Sequence, residues 1–160
     1  MFTKILPRKT QETVQLLGAS GIIKTFYLSG GTACALYLGH RISKDLDFFT
    51  KKEFSVKELG DALRMQGSLE PLSEDKNTFH CIFNKTRLSF LRYPYPLLKP
   101  GNQLKAVTVS SLLDVLCTKL DTVSARGSKK DFIDLYCAVQ KKMYTLEEII
   151  TKSSQNQLFL

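Results

Sequence analysis

The sequence lacks the features that mark zinc-binding, membrane-spanning and secreted proteins. Its four cysteines include no Cys-x-x-Cys pair, and its two histidines have no ligand spacing to them. A zinc site is therefore not indicated, and reduced, half-buried thiols are the better interpretation. No apolar run approaches the roughly 20 residues that a membrane span needs, and the N-terminus has no hydrophobic signal region. We expect a cytoplasmic protein with no membrane partner.

Internal repeats and low-complexity tracts are also absent from the sequence. At 160 residues, with 43% hydrophobic and 24% charged residues, the chain has the composition of one globular domain that is large enough for a real core. We divide it into a core over residues 1–100 and a helical C-terminal part over residues 101–160. The two parts are expected to pack together as a single compact unit.

Acidic residues are in deficit. The 23 lysines and arginines outnumber the 15 aspartates and glutamates, which gives a formal net charge of +8 and a pI near 9.4. A basic surface attracts polyanions electrostatically. The pairs Lys51-Lys52 and Lys129-Lys130 are candidates for such a surface, although any one pair is typical of an ordinary solvated face. The charge favours nucleic acid as a substrate or partner.

The residues with chemical potential concentrate between Phe26 and Thr50. A short apolar run with strand character is followed by Gly30 and Gly31, and then by a helix-like segment over residues 33–38. Because glycine has no Cβ atom, backbone N–H groups between a strand and a helix N-terminus can face an anion there. The pattern predicts a phosphate site at residues 30–32, with the Ser29 or Thr32 hydroxyl as a further donor. A plain tight turn is the alternative.

A second apolar run carries an acidic pair, Asp45 and Asp47, with thirteen residues between Gly31 and Asp45. In a strand, alternate side chains share a face, so both carboxylates would point the same way while the residues between them point into the core. Two like charges that close repel unless a cation lies between them. Oxygen-only ligands favour Mg²⁺. We therefore predict that Asp45 and Asp47 bind Mg²⁺ beside the phosphates, with a solvated strand edge as the alternative.

Periodicity organises the remainder of the chain. Residues 78–83 and 87–92 are predicted to form a β-hairpin, and Ser55 is predicted to cap a helix that ends at Gly67. After a proline-punctuated connection, a helix capped by Ser110 or Ser111 carries Lys119 away from its line of core residues.

The next predicted helix begins at Lys129. Four of its residues are predicted as its apolar face: Phe132, Leu135, Tyr136 and Val139. Asp131 and Asp134 lie one turn apart on it. Surface ion pairs such as Lys130–Asp134 are the alternative to a functional role for these acids.

Two blocks of this sequence resemble one protein family. The segments Gly30-Gly31-Thr32, Gly39-His40-Arg41-Ile42-Ser43 and Asp45-Leu46-Asp47-Phe48-Phe49 resemble the AbiEii/AbiGii-type nucleotidyltransferases of the polymerase β-like superfamily. That family includes toxins of bacterial abortive-infection and toxin–antitoxin systems. Lys119 and the later run from Arg126 to Tyr136 resemble the family's later motifs, so the resemblance covers roughly residues 6–139. It implies an α+β fold with a polymerase β-like core, in which helices flank a mixed β-sheet and a helical part follows.

The resemblance also implies a reaction, which is Mg²⁺-dependent transfer of a nucleotide from an NTP to an acceptor hydroxyl. We expect the acceptor to be RNA, such as a tRNA 3′ end, and the protein to act as a toxin with an antitoxin partner. Asp45 and Asp47 would hold the metal and residues 29–32 the β- and γ-phosphates. Lys119 would be a cation near the triphosphate, and Asp131 would orient Lys119 or Arg126 or take part in proton transfer. Arg126 and Lys130 would bind substrate.

One departure from the family pattern leaves other functions open. Polymerase β-like enzymes generally place a third carboxylate on a neighbouring strand, but this chain has Ser89 there, and it has no acid between Asp75 and Asp114. A serine cannot supply the missing charge. Asp131 could fill the role, or a single metal could bind, or the protein could be a degenerate module that binds a nucleotide or a partner without turnover. A third possible function, besides the transferase and the binding module, is a Mg²⁺-dependent nuclease that uses Asp45, Asp47 and Lys119.

Overall fold

A mixed seven-stranded β-sheet forms the centre of the computed structural model, which describes residues 1–157 apart from the side chains of Arg126, Asn156 and Gln157. The strands are β1 (Tyr27–Ser29), β2 (Leu46–Thr50), β3 (Leu69–Asp75), β4 (Thr78–Phe83), β5 (Thr86–Arg92), β6 (Asn102–Leu104) and β7 (Val107–Val109). Their order in the sheet is β3-β4-β5-β2-β1-β7-β6. The pairs β2–β5 and β1–β7 are parallel, and the other pairs are antiparallel. The predicted α+β class with a mixed sheet is confirmed.

Helices cover this sheet and continue the chain beyond it. The α-helices are α1 (Arg8–Ser20), α2 (Gly30–Leu38), α3 (Val56–Arg64), α4 (Leu112–Arg126), α5 (Lys129–Gln140) and α6 (Leu146–Gln157). The N-caps that the sequence indicates are present, because the Ser55 and Ser111 hydroxyls accept from the backbone N–H groups of Glu58 and Asp114, each at 3.2 Å. Since β6 and β7 pair into the sheet, the sheet continues past residue 100, within the part of the chain that was predicted to be helical.

One face of the sheet is apolar and holds the main core. Phe48, Phe79 and Phe90 come from β2, β4 and β5, and the rings of Phe48 and Phe79 lie parallel to that of Phe90 at centroid distances of 5.4 and 6.4 Å. Helix α1 packs on this side, since Thr13 hydrogen-bonds to Thr86, two residues along the same face from Leu88. The strand period of two therefore turns the intervening residues, Asp47 and Ser89 among them, to the opposite face.

The predicted hairpin is confirmed and fixes what stands on that opposite face. Strands β4 and β5 are joined at Asn84 and Lys85, whose φ angles of 48° and 67° are those of a two-residue turn with both residues left-handed. This turn sets a register in which His80 faces Ser89, while the parallel pairing of β2 with β5 sets Asp47 beside Ser89. Asp47, Ser89 and His80 therefore form one row across three strands.

The apolar face predicted for helix α5 is confirmed for Leu135 and Val139 and is wrong for Phe132 and Tyr136. Phe132 and Tyr136 are 53% and 64% exposed, whereas the buried residues are Asp131, Asp134, Leu135 and Ala138. The physical reason is the ion pairing described below, which stabilises the two acids in the interior and turns the aromatic side chains to solvent. The predicted surface pairing of Asp134 with Lys130 is replaced by buried partners.

Candidate active site

The site is built around the turn from β1 into α2. Gly30 has φ of +64°, in the left-handed region, and a Cβ atom there would lie 2.6 Å from the Asp47 Oδ2 atom. A Cβ atom on Gly31 would lie 2.5 Å from the Arg41 Nη2 atom. Gly30 is therefore required by its left-handed backbone and by its close approach to Asp47, whereas a side chain at Gly31 would displace the Arg41 guanidinium group. The N-terminus of α2 begins at this point, so its free backbone N–H groups lie beside Asp47.

Asp45 and Asp47 lie at the start of β2 and line one cavity of about 800 Å³ together with Gly30 and Gly31. Asp45 is exposed and Asp47 is half-buried. The loop before the strand is fixed by Thr32, whose hydroxyl hydrogen-bonds to the Asp45 carbonyl oxygen and lies 2.6 Å from the Ser43 hydroxyl oxygen. The acidic pair is thus positioned by the first turn of α2.

The carboxylate of Asp47 is short of positive partners. Burial raises its pKa, and the neighbouring Asp45 charge raises it further, although the hydrogen bond from Ser89 and the charges of Lys119 and His80 act in the opposite direction. A buried carboxylate beside a second one is a strong ligand for a hard cation, because the cation relieves both desolvation and repulsion. The donor set of Asp45 and Asp47 therefore fits a divalent metal ion.

A second, closed set of charges lies between α4, α5 and the loop after α2. Asp134 is fully buried, and its carboxylate oxygens lie 2.8 Å from Arg41 Nε, 3.0 Å from Arg41 Nη2, 3.0 Å from Lys119 Nζ and 2.7 Å from His40 Nε2. Lys119 Nζ also donates to Asp131 Oδ1 at 2.5 Å. Burial raises the pKa of Asp134, but the hydrogen bond from Arg41, the charge of Lys119 and the bonds from His40 and Lys119 outweigh it and leave that pKa lowered.

This charge network connects to the glycine bend. Arg41 Nη2 donates to the Gly31 carbonyl oxygen at 3.1 Å, and Lys119, Arg41 and Asp131 all line the cavity. Lys119 is consequently held in the interior with its charge directed between α5 and the diglycine turn. Its position is fixed by two carboxylates of α5, those of Asp131 and Asp134.

The remaining predicted site residues lie in different environments. Ser29 is buried, and its hydroxyl accepts a hydrogen bond from Ser110 at 2.9 Å. The Thr32 hydroxyl is engaged with the Ser43–Asp45 loop. Lys130 is exposed and lines the cavity. The side chain of Arg126 lies outside the described residues.

Residues that the sequence analysis did not assign to the site are also present. His40 and Arg41 hydrogen-bond to Asp134. His80 lines the cavity beside Ser89, and its Nδ1 atom is hydrogen-bonded to the Ser89 hydroxyl at 3.1 Å. His40 and Arg41 stand in the motif block that carries the family resemblance, so their position was a usable signal. His80 could be found only from the register of the β4–β5 hairpin.

Among the described residues, one other group has the composition of a metal site. The ligand atoms of Cys34, His40 and Asp134 lie within 4.8 Å of one another. Asp134 is already paired with Arg41 and Lys119, and burial raises the pKa of the Cys34 thiol to about 12, which keeps it protonated. A metal ion between these three residues would compete with Arg41 and Lys119 for the Asp134 carboxylate. We therefore assign these three residues to the charge network and not to a metal site. In the part of the chain that is described, no helix is both long enough and apolar enough to cross a membrane.

Solved structures with the same fold are nucleotidyltransferases. The Megavirus polyadenylate synthase superposes with a TM-score of 0.58 at 15% identity over 81% of this chain, which spans only 31% of that longer protein. ANT(2″)-Ia, in complex with adenylyl-2″-tobramycin, superposes with a TM-score of 0.62 at 14% identity, over 94% of this chain and 98% of that one. The chain thus shares its fold with these two enzymes.

Sequence comparison gives the family. The model of the family described as "Nucleotidyl transferase AbiEii toxin, Type IV TA system" matches residues 15–96, which include the diglycine turn, both acids and Ser89. The chain is also 32% identical over 148 residues to the protein aq_aa25 of Aquifex aeolicus (strain VF5), covering 90% of this chain and 72% of that relative. The chain belongs to the AbiEii nucleotidyltransferase family.

Proposed function

We propose that this protein transfers a nucleotide from an NTP to a hydroxyl group of RNA in a Mg²⁺-dependent reaction. The observation that carries the proposal is the meeting, in one cavity, of Asp45 and Asp47 with the diglycine start of α2 and with Lys119. Such a cavity offers carboxylates for a metal, backbone N–H groups for phosphates and a lysine for developing negative charge. Its volume of about 800 Å³ lies in the range of small-molecule sites.

Transfer of this kind asks a protein mainly to align groups and neutralise charge. The first turn of α2 would hold the β- and γ-phosphates through its backbone N–H groups. Lys119, kept in place by Asp131 and Asp134, would face the triphosphate and the leaving pyrophosphate. A Mg²⁺ ion bound to Asp45 and Asp47 would neutralise phosphate charge and lower the pKa of the attacking hydroxyl.

The charge of the protein supports a polyanionic acceptor. ANT(2″)-Ia is in complex with adenylyl-2″-tobramycin, whereas the net charge of +8 on this protein attracts a polyanionic acceptor. The Megavirus enzyme is a polyadenylate synthase. RNA is the acceptor that combines a terminal hydroxyl with a phosphate backbone, which binds lysine and arginine without sequence preference.

Labelling experiments test this proposal directly. The protein is incubated with each α-³²P-labelled NTP and Mg²⁺, with total bacterial RNA in one reaction and total protein in another. We expect label in RNA, loss of label in Asp47→Ala, and full labelling by Asp61→Ala, a matched change at an acid on α3 whose side chain is 59% exposed. Label in protein alone would move the acceptor to a protein hydroxyl, and RNA shortened without label would indicate a nuclease.

The toxin role requires a separate test in living cells. We expect expression of the wild-type chain to arrest bacterial growth and expression of Asp45→Ala to be tolerated at the same protein level. Growth arrest that persists in Asp45→Ala would separate toxicity from nucleotidyl transfer.

A second candidate function follows from one specific feature. Ser89 lies directly beside Asp47, at the strand position where a third carboxylate is expected, and so favours a module that binds nucleotide without turnover. Such a module would be stabilised by an NTP and Mg²⁺ and would label neither RNA nor protein. For a ligand at one hundred times its Kd, the stabilisation would be about 2.7 kcal/mol.

A further inference from the structure

The position of the expected third carboxylate is filled by two side chains. Ser89 stands next to Asp47 on the parallel strand β5, and His80 stands next to Ser89 on the antiparallel strand β4. All three side chains line the same cavity. The histidine therefore extends the row by one strand, on the cavity side of the sheet.

The hydrogen bonds of this row define which imidazole nitrogen carries the proton. His80 Nδ1 lies 3.1 Å from the Ser89 hydroxyl oxygen, and the hydroxyl of Ser89 donates to the Asp47 carboxylate. A hydroxyl has one proton to donate, and Ser89 already donates it to Asp47. Ser89 can therefore only accept in its hydrogen bond with His80, so Nδ1 must carry a hydrogen. In the neutral ring Nε2 is then the unprotonated, basic nitrogen.

Other candidate bases in the cavity are engaged. Asp131 is in contact with Lys119 at 2.5 Å, and Asp134 holds His40, Arg41 and Lys119. Asp45 and Asp47 are the proposed metal ligands. His80 lines the same cavity, and none of these contacts uses its Nε2 atom.

We infer that His80, oriented by Ser89, takes the place of the missing acid and accepts the proton of the acceptor hydroxyl. This inference rests on the proposed nucleotidyl transfer. In the step, the hydroxyl oxygen forms a bond to the α-phosphorus while its proton moves to His80 Nε2. The bond from the α-phosphorus to the bridging oxygen breaks, and pyrophosphate leaves with that electron pair.

The central test is a pair of substitutions. His80→Asn places an amide N–H near the position of Nδ1, so it can still donate to Ser89, but it has no basic nitrogen. With labelled NTP and total RNA, we expect the single-turnover labelling rate to fall at least about 100-fold, the lower range for loss of a general base. Stabilisation by NTP and Mg²⁺ in a thermal-shift assay should be retained.

Restoring the acid should rescue the defect. In the double variant His80→Asn/Ser89→Asp, a carboxylate stands beside Asp47 at the position where the family resemblance leads us to expect one, and we expect the labelling rate to recover at least about tenfold over His80→Asn. A rate within threefold of the wild type in His80→Asn, or a double variant as slow as the single one, would overturn the inference while leaving the proposed transfer intact. Absence of labelling by the wild-type protein would instead remove the proposed function and the inference together.

The tautomer gives a measurement that does not depend on activity. In ¹⁵N NMR spectra of the imidazole, we expect neutral His80 to be protonated at Nδ1 in the wild type and to lose that preference in Ser89→Ala. A neutral ring protonated at Nε2 in the wild type would contradict the proposed orientation and with it the role of His80.

Discussion

Replacing Asp134 with asparagine should destabilise the protein more than almost any other single charge change. The carboxylate is completely buried and lies against three partners whose side chains are also largely buried: His40 at 6% exposed, Lys119 at 9% and Arg41 at 21%. Asparagine has nearly the same shape, but it carries no charge and its amide nitrogen cannot accept a hydrogen bond. The substitution therefore leaves Arg41 and Lys119 charged in the interior, with less negative charge to balance them.

The expected magnitude follows from the cost of breaking a buried ion pair. Removing one partner of such a pair costs about 3–5 kcal/mol, because the other charge stays desolvated and unpaired. For a domain of this size each kcal/mol lowers Tm by about 2–4 °C, so we expect Tm to fall by about 10 °C. A loss of that size is a large fraction of the total stability of an ordinary domain, which is about 5–15 kcal/mol.

The effect should depend on pH in one direction. Because the pKa of Asp134 is lowered in the folded state, its stabilisation is fully present above the unfolded-state value of about 3.9 and is lost as the pH falls through the folded-state value. The difference in unfolding free energy between wild type and Asp134→Asn should thus be constant near neutral pH and shrink below about pH 4. Urea denaturation at a series of pH values measures this difference.

Glu12→Gln is the matched control for the loss of one carboxylate charge. Glu12 pairs with Arg8 at 2.9 Å on the outside of α1, where the two side chains are 62% and 93% exposed. We expect a change below about 0.5 kcal/mol for this exposed pair. A loss of less than about 1 kcal/mol in Asp134→Asn would refute the argument that Asp134 compensates Arg41 and Lys119 in the interior.

Three further predictions test the site and the core. Asp47→Asn should raise the Tm of the metal-free protein at pH 7, because burial raises the pKa of Asp47 and its ionised form therefore costs stability. This gain in Tm should disappear below about pH 4, where the carboxylate is protonated in both states. In thermal-shift measurements, the Mg²⁺-dependent stabilisation by NTP should be lost in this variant. Gly30→Ala should lower the unfolding free energy more than Gly21→Ala. Both positions have a left-handed backbone, which costs a non-glycine residue about 1–2 kcal/mol, but only at Gly30 does the new Cβ atom meet Asp47. Equal losses in urea denaturation would contradict the close approach. Phe132→Ser should change stability by less than about 0.5 kcal/mol, whereas Leu135→Ala should cost about 2–4 kcal/mol. The predicted apolar face of α5 contained both residues and would make both substitutions costly.

The sequence was sufficient for features that local physics determines. The glycine pair indicated a turn at which other groups approach the backbone closely. Gly30 has a left-handed backbone and lies close to Asp47. The serine caps, the alternation of β2 and the β4–β5 hairpin are likewise set by neighbouring residues, and all were predicted correctly. Strands β6 and β7 were missed because three residues are too few to show a period of two.

Helix α5 shows where local patterns fail. Its aromatic residues recur at a helical spacing, so an apolar face containing Phe132 and Tyr136 was the natural prediction. The buried face instead carries Asp131 and Asp134, whose partners stand 12 or more residues away, with His40 94 residues distant along the chain. A carboxylate changes from a surface residue to a buried one when cations come from other elements. For Asp134, His40 and Arg41 lie 94 and 93 residues away along the chain, beyond any local window of sequence.

The acids of β2 and those of α5 have opposite electrostatic states, and this difference predicts where a cation binds. On α5 the carboxylates are matched by Arg41, His40 and Lys119, so this side is neutralised within the chain and rigid without a ligand. On β2 the carboxylates repel each other, and Asp47 is desolvated, so this side gains stability only when a cation arrives. A metal ion with its nucleotide should therefore bind at β2 and leave the α5 network unchanged. Thermal-shift titrations with Mg²⁺ and NTP should show this as stabilisation that Asp47→Asn abolishes and Glu12→Gln retains.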